Sequence, residues 1–378
     1  MSGIKEISIL SSGIKGVASL AWGLPSFTTP EYIRAGVVNR LTDDPDIGKY
    51  TLPDGLKELR DIVVERHFQD TGVRVGADEN VMITAGNMQA LNTLFRIITD
   101  PGDEIILTDP CFSSHIQQIK ICGCSPAYWP LDEKNNWEPD LSSLEQLINE
   151  KTKAIVIVSP SNPTGKIFNK EVLLSIGEIA RTHKLMVLID DPYRHFIYEN
   201  RDRYFNLAGC SDLFEQIVYC FTLSKSYAMS GWRLGYTVLP AYLKKQALKV
   251  HDATMICAPR ISQVAGAIAL GSESEHLVEF ENILAGRREL ICQRLDKVPH
   301  VFTYTKPEGA YYVFPEIVAD HENAYDFSLQ LLHKAKVAMT PGSAFGPSGE
   351  HHVRLSYCVP DDMINLAFDR IEAFFKTG

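Results

Sequence analysis

The chain has 378 residues, more than one ordinary core, and at 45% hydrophobic and 22% charged it has the composition of a folded globular protein. A formal charge of −10 with no basic stripe argues against nucleic acid or anionic lipid as partners, and no apolar run is long enough to span a bilayer. The N-terminal stretch MSGIKEISILSSGIKG has no signal-peptide core, the eight scattered cysteines form no Cys-x-x-Cys pair, and the eleven histidines offer no zinc spacing, so a cytoplasmic protein with reduced thiols and no metal is expected.

Taken in chain order, residues 1–45 show no alternation of strand and helix signals and read as an arm that joins a smaller domain. From Val81 the pattern changes. Short, β-branched apolar runs end in polar, Gly or Pro residues: VMITAG from Val81, EIILTDP from Glu104, PAYWPL from Pro126, AIVIVSP from Ala154, MVLIDDP from Met186, IVYCFTLSK from Ile217 and GYTVLP from Gly235. Helix-like stretches lie between them, among them Met88 to Thr99, Leu141 to Glu150 and Lys170 to His183. The pattern predicts an α/β fold, a three-layer αβα large domain with a mostly parallel seven-stranded sheet. After Pro240 a helix-rich stretch, Ala241 to Lys297, leads into an α/β segment that closes with a helix at Met363 to Phe375. The expected division is an arm over residues 1–45, a large domain over 46–285 and a small domain over 286–378.

In such sheets ligands bind beyond the carboxyl ends of the strands, and reactive residue types stand where the runs stop. Gly86 and Asn87 close the first, Asn162 follows the fourth, Asp190 closes the fifth and Lys225 the sixth. A lysine at the mouth of a sheet can serve as an amine nucleophile, although taken alone it reads far more readily as a solvated surface group. Thr222, Ser224 and Arg233 offer donors suited to a phosphate, and Gly86-Asn87-Met88 opens a helix, where free N–H groups favour an anion. Two phosphate half-sites beside a lysine imply a phosphorylated carbonyl cofactor. Asp190 is costly at the end of an apolar strand unless paired. It is either a cap or loop aspartate or the partner of a protonated ring nitrogen, in which case Tyr193 and Asn162 would reach the phenolate oxygen of the same ring.

Five motifs in order, SPSNPTG from Ser159, DDPY from Asp190, SKSYAMSGWRLGY from Ser224, PEGAYYVFP from Pro307 and VRLSY from Val353, give the chain its resemblance to a family. It resembles the class I/II aminotransferases, enzymes of fold type I that use pyridoxal 5′-phosphate (PLP). The resemblance runs from Gly23-Leu24-Pro25-Ser26-Phe27 to Tyr357. It implies that Lys225 binds the cofactor as a Schiff base and later moves the proton between the substrate Cα and the ring system. Asp190 is then the pyridinium partner, Tyr193 and Asn162 contact the ring oxygen, and Phe112, in DPCFSSH, is the aromatic residue stacked on the ring. Gly86, Asn87, Met88, Thr222 and Arg233 hold the phosphate, and Tyr50 reaches the phosphate of a second subunit, which implies a homodimer.

The same resemblance makes Arg354 the residue that holds the substrate α-carboxylate, with Gly23 approaching it through its backbone. Trp22, Tyr311 and Tyr312 stand near motif positions and are candidates for lining the side-chain pocket. The implied activity is transfer of an amino group between an L-amino acid and a 2-oxo acid by a ping-pong cycle. Dicarboxylate-specific relatives carry a second arginine shortly before the segment matching Met255 to Pro259. Here His251-Asp252-Ala253-Thr254 holds none and Asp252 would repel a second carboxylate, so a neutral or aromatic donor is favoured, with nearby Arg260 the one residue that could substitute. The rival readings are a C–S or related lyase of the same fold and a silent PLP-binding regulator.

Overall fold

The computed structural model describes residues 3–199 and 201–376. All seven apolar runs are strands of one sheet. They are β1 (Val81–Thr84), β2 (Glu104–Asp109), β3 (Ser125–Asp132), β5 (Thr152–Ile157), β6 (Met186–Asp190), β7 (Ile217–Thr222) and β8 (Gly235–Val238). The seven-strand expectation is one short: β4 (Glu138–Pro139) adds an eighth, at the edge. Two residues carry no period-2 pattern, so the sequence holds no signal for it.

The sheet order is β1-β8-β7-β6-β5-β2-β3-β4. The pairs β7/β6, β6/β5, β5/β2 and β2/β3 are parallel. In contrast, β8 runs antiparallel between β1 and β7, and β4 runs antiparallel to β3. Neighbouring residues of a strand point to opposite faces, and here both faces are core. Val81, Ile106, Ile155, Val187 and Tyr219 join one apolar cluster, while Met82, Ile105, Val156, Leu188 and Val218 join another. That is why the runs are continuously apolar rather than alternating.

Helices cover both faces. Helix α1 (Asn87–Ile98) places Ala90, Leu91, Leu94 and Phe95 in the second cluster; helix α2 (Lys170–His183) places Leu173, Ile176 and Ala180 in the first. The ends of α2 follow local chemistry. Asn169 accepts the Val172 N–H at 2.8 Å, basic Arg181 and His183 occupy the last turn, and Lys184 turns left-handed after it at φ 58°.

A further core gathers Ala18 and Leu20 with residues from Phe280 to Ile371. It surrounds a three-stranded sheet in which Val353–Ser356 lies between Tyr312–Val313 and Thr340–Pro341. Helix α3 (His276–Leu295) runs unbroken across residue 285 and gives Phe280, Leu284 and Ile291 to this core. Within residues 1–45 the chain serves two cores, because Ile33 and Val37 of helix Glu31–Asp43 pack on the large sheet.

Candidate active site

The carboxyl ends of β5, β6 and β7 and the start of α1 converge on a cavity of about 460 Å³. Because β8 runs backwards, its first residues also lie at this edge, which brings Arg233 beside Gly86. A Cβ on Gly86, whose φ is +78°, would lie 2.9 Å from Arg233 Nη2, so the close approach requires glycine. Arg233 itself is left-handed at φ 53° and bonds the carbonyl of Ser230 at 2.8 Å.

Of the residues singled out in the sequence, Gly23, Asn87, Met88, Phe112, Asn162, Asp190, Tyr193, Thr222, Lys225, Arg233 and Arg354 line this cavity. Gly86 lies behind Arg233. Tyr50 is 76% exposed and is not among the lining residues. Trp22 and Tyr312 line the cavity, whereas Tyr311 stands behind, its hydroxyl 3.3 Å from the Gly23 carbonyl.

Lys225 donates from Nζ to the Gly23 carbonyl at 2.8 Å. Desolvation pushes its pKa down to about 8, helped by the positive charges of Arg354 and Arg233 and opposed by Asp190 and Cys358. A useful fraction of the amine is therefore neutral near neutral pH.

The strand alternation sorts the two carboxylates of DDPY. Asp190, 5% exposed, faces the cavity, with Asn87 Nδ2 donating to Oδ1 at 2.6 Å and His115 Nε2 3.0 Å from Oδ2. Asp191 accepts from the hydroxyls of Tyr204 at 2.6 Å and Tyr219 at 2.9 Å; burial pushes its pKa up to about 6 against the pull of Arg194. His115 was missed in the sequence. The available signal was its position three residues after Phe112 at a helix start, and the two rings meet edge to face at 5.3 Å.

Arg354 is 2% exposed. Its Nη1 donates to Asn162 Oδ1 at 3.2 Å, its Nη2 donates to the Ala21 carbonyl, and its guanidinium carbon lies 4.5 Å from the Tyr312 ring centre. Its Nε has no partner among the described residues. Tyr312 is wedged beside it, with its hydroxyl 3.1 Å from that of Tyr193. A Cβ on Gly23 would lie 2.0 Å from that hydroxyl. Tyr312 thus lines the cavity as part of the wall between Gly23, Tyr193 and Arg354. Burial pushes the Tyr193 phenol far above its ordinary range, so it is a neutral donor.

A doubly covered sheet with a desolvated lysine, a carboxylate and an arginine at its carboxyl edge is the architecture of the aspartate aminotransferase fold. The chain belongs to the aminotransferase class I and II family, whose model it matches over residues 16–371. An aspartate aminotransferase of Pyrococcus horikoshii is 36% identical over 98% of this chain and 94% of its own length. Aromatic-amino-acid aminotransferase 2 of Thermococcus litoralis is 32% identical over 99% and 96%. The solved alanine aminotransferase of Pyrococcus furiosus superposes with a TM-score of 0.93 at 30% identity, covering 100% of this chain and 98% of its own. The protein is accordingly an amino-acid aminotransferase, and these relatives do not favour a lyase or a silent regulator.

Proposed function

We propose that the cavity holds PLP and exchanges amino groups between an L-amino acid with a neutral or aromatic side chain and a 2-oxo acid, by a ping-pong cycle. The observation that carries this reading is the desolvated Lys225 amine between the Asp190 carboxylate and the Arg354 guanidinium. The residues present fit the cofactor. Asn87 and Met88 begin a helix whose first amides lack intrahelical acceptors, and Thr222, Ser224 and Arg233 add donors nearby, which together suit a phosphate. Asp190 suits a protonated ring nitrogen, Phe112 a ring face, and Asn162 with Tyr193 a phenolate oxygen.

When bound, PLP supplies the carbonyl that takes up amino groups and the conjugated ring that accepts the electron pair released at Cα. The protein's part is positional and protonic. Arg354 binds the substrate carboxylate, and Gly23 leaves room for it. Lys225, once free, removes and returns the Cα proton; its lowered pKa makes the neutral, proton-accepting form more accessible than in an ordinary lysine. Asp190 holds the ring nitrogen protonated, and Asn87 and His115 hold Asp190.

Several features support the donor preference. Among the described residues the cavity wall carries no cation beyond Lys225, Arg233 and Arg354, and Leu24, Met88 and Leu91 line it. Arg260 is paired with Asp44 at 3.1 Å. Exposed Tyr50, Leu52, Met255 and Ile256 suit a second copy of the chain, in which Tyr50 reaches the neighbouring phosphate. The eight unpaired thiols suit a reducing, cytoplasmic setting. The division into domains is best placed ahead of α3 rather than within it. Borohydride reduction of the holoenzyme followed by peptide mapping tests the assignment: the label is expected on Lys225, and a label on any other lysine would overturn it.

A further inference from the structure

Arg66 is a guanidinium without a carboxylate. Among the described residues it makes no ion pair, and its Nη2 reaches only the hydroxyls of Tyr227 and Ser274, both at 3.4 Å, the outer limit of a hydrogen bond. It lines a second cavity, of about 200 Å³, that shares no lining residue with the first. In its wall Phe221, Tyr227, Tyr236 and Leu270 belong to the core of the large sheet. Arg66 and Asp70 come from helix Lys57–Thr71 beside the large sheet, Arg194 and His195 follow β6, and Ser274 stands in the turn that leads into α3.

The charges around it do not cancel. Arg194 is satisfied, by Asp70 at 2.5 Å and by the Tyr219 hydroxyl at 3.0 Å. That pairing uses Asp70, which is the one carboxylate lining the cavity. His195 bonds Ser226 Oγ through Nδ1 at 2.8 Å, and its Nε2 has no hydrogen-bond partner among the described residues. The Tyr227 and Ser274 hydroxyls lie 3.4 Å from each other and one can donate to the other, so the positive charge of Arg66, one remaining hydroxyl proton and the His195 imidazole are left beside a small polar cavity.

We propose that this second cavity binds a small oxyanion of the phosphate class. A guanidinium offers two N–H donors in one plane, and hydroxyl and imidazole donors from other segments add further directions, which a tetrahedral anion satisfies and a planar carboxylate does not. The site is separate from the cofactor phosphate half-site. The segment Ser224 to Ser226 stands between them: Ser224 and Lys225 line the first cavity, and Ser226 holds His195 of the second. A bound anion would sit one hydrogen bond from the residue that follows Lys225.

The test is calorimetric titration of the cofactor-loaded enzyme with inorganic phosphate against a chloride background of equal ionic strength. One saturable phosphate per chain is expected. Arg66→Gln should weaken it by about tenfold or more, because a charge-assisted contact is removed, and Ser274→Ala should weaken it less. Cofactor content and turnover in phosphate-free buffer should stay unchanged in both variants. Absence of saturable binding overturns the proposal. So does binding that is equal in wild type, Arg66→Gln and Ser274→Ala, which would place the anion at Arg354 or elsewhere. Should Arg66→Gln fail to fold, Ser274→Ala and Arg66→Lys decide: unchanged affinity in both overturns the site, and a loss in either supports it.

Discussion

Replacing Asp190 with Asn separates the charge of that carboxylate from its shape. The surroundings can accept the amide. Asn87 Nδ2 now donates to Oδ1 at 2.6 Å, and an amide oxygen can keep that bond. The new NH₂ would face His115 Nε2, 3.0 Å from the present Oδ2. His115 Nδ1 has no partner among the described residues, so the imidazole can carry its proton there and accept at Nε2. The fold should therefore lose no more than about 1 kcal/mol, the net worth of one neutral hydrogen bond. What would disappear is the negative charge that Asp190 is proposed to place beside the ring nitrogen of PLP. Two unit charges roughly 4 Å apart at an effective dielectric of 20 interact by about 4 kcal/mol. At about 1.4 kcal/mol per decade that is nearly three decades. Asp190→Asn is expected to lower kcat by roughly two to three decades while KM moves by less than about threefold, the pattern of lost transition-state stabilisation. Steady-state kinetics at matched cofactor loading, with a thermal melt as the control for folding, measures it. A kcat within about threefold of wild type at full loading would remove Asp190 from the chemistry.

Three further outcomes are expected. Gly23→Ala drives a Cβ to within 2.0 Å of the Tyr312 hydroxyl; kcat/KM should drop by about tenfold or more, and an unchanged KM for the amino donor would contradict the tight wall. With the Lys225 pKa at about 8, the neutral nucleophilic amine is scarce below that pH and dominant above it. The rate at which cofactor-free enzyme captures PLP should accordingly rise through a midpoint near pH 8; a midpoint near the ordinary lysine value of 10.5 would show the amine to be solvated. With Arg260 tied to Asp44, aspartate should not exceed the best of phenylalanine, tyrosine, methionine and alanine as donor, compared by kcat/KM with one common acceptor. A roughly tenfold advantage for aspartate would mean that another cation meets its side chain.

The strands were legible because burial on both faces writes itself as unbroken apolar runs, and the polar residue that ends each run marks the functional edge. That logic delivered Asn162, Asp190 and Lys225 to one cavity. It was blind to strand direction: β8 is as apolar as its neighbours, and only pairing shows that it runs backwards and carries Arg233 to Gly86. His115 was hidden because a histidine after a strand has many uses, and its bond to Asp190 spans 75 positions. Tyr312 was read as a pocket aromatic; its placement against Gly23 depends on a contact between the two ends of the chain. The Arg66 cavity was invisible for the same reason, since residues 66, 194 and 274 share no motif.

Helix α3 is a strut from which the wall of Gly23, Tyr312 and Arg354 hangs. Its 20 residues span about 30 Å. Phe280 stacks on Phe27 at 4.0 Å, Arg287 holds Ser26 at 2.9 Å and Asp361 at 3.1 Å, and Arg288 holds the Pro307 carbonyl at 2.6 Å. Those anchors lie just after Gly23, just before Tyr312 and just after Arg354. Three sequence-distant pieces of the wall are thus fastened to one rigid bar, so a tilt of that bar carries all three together and preserves their spacing. The wall proposed to hold the substrate carboxylate is tied to one helix, although the chain visits it three times.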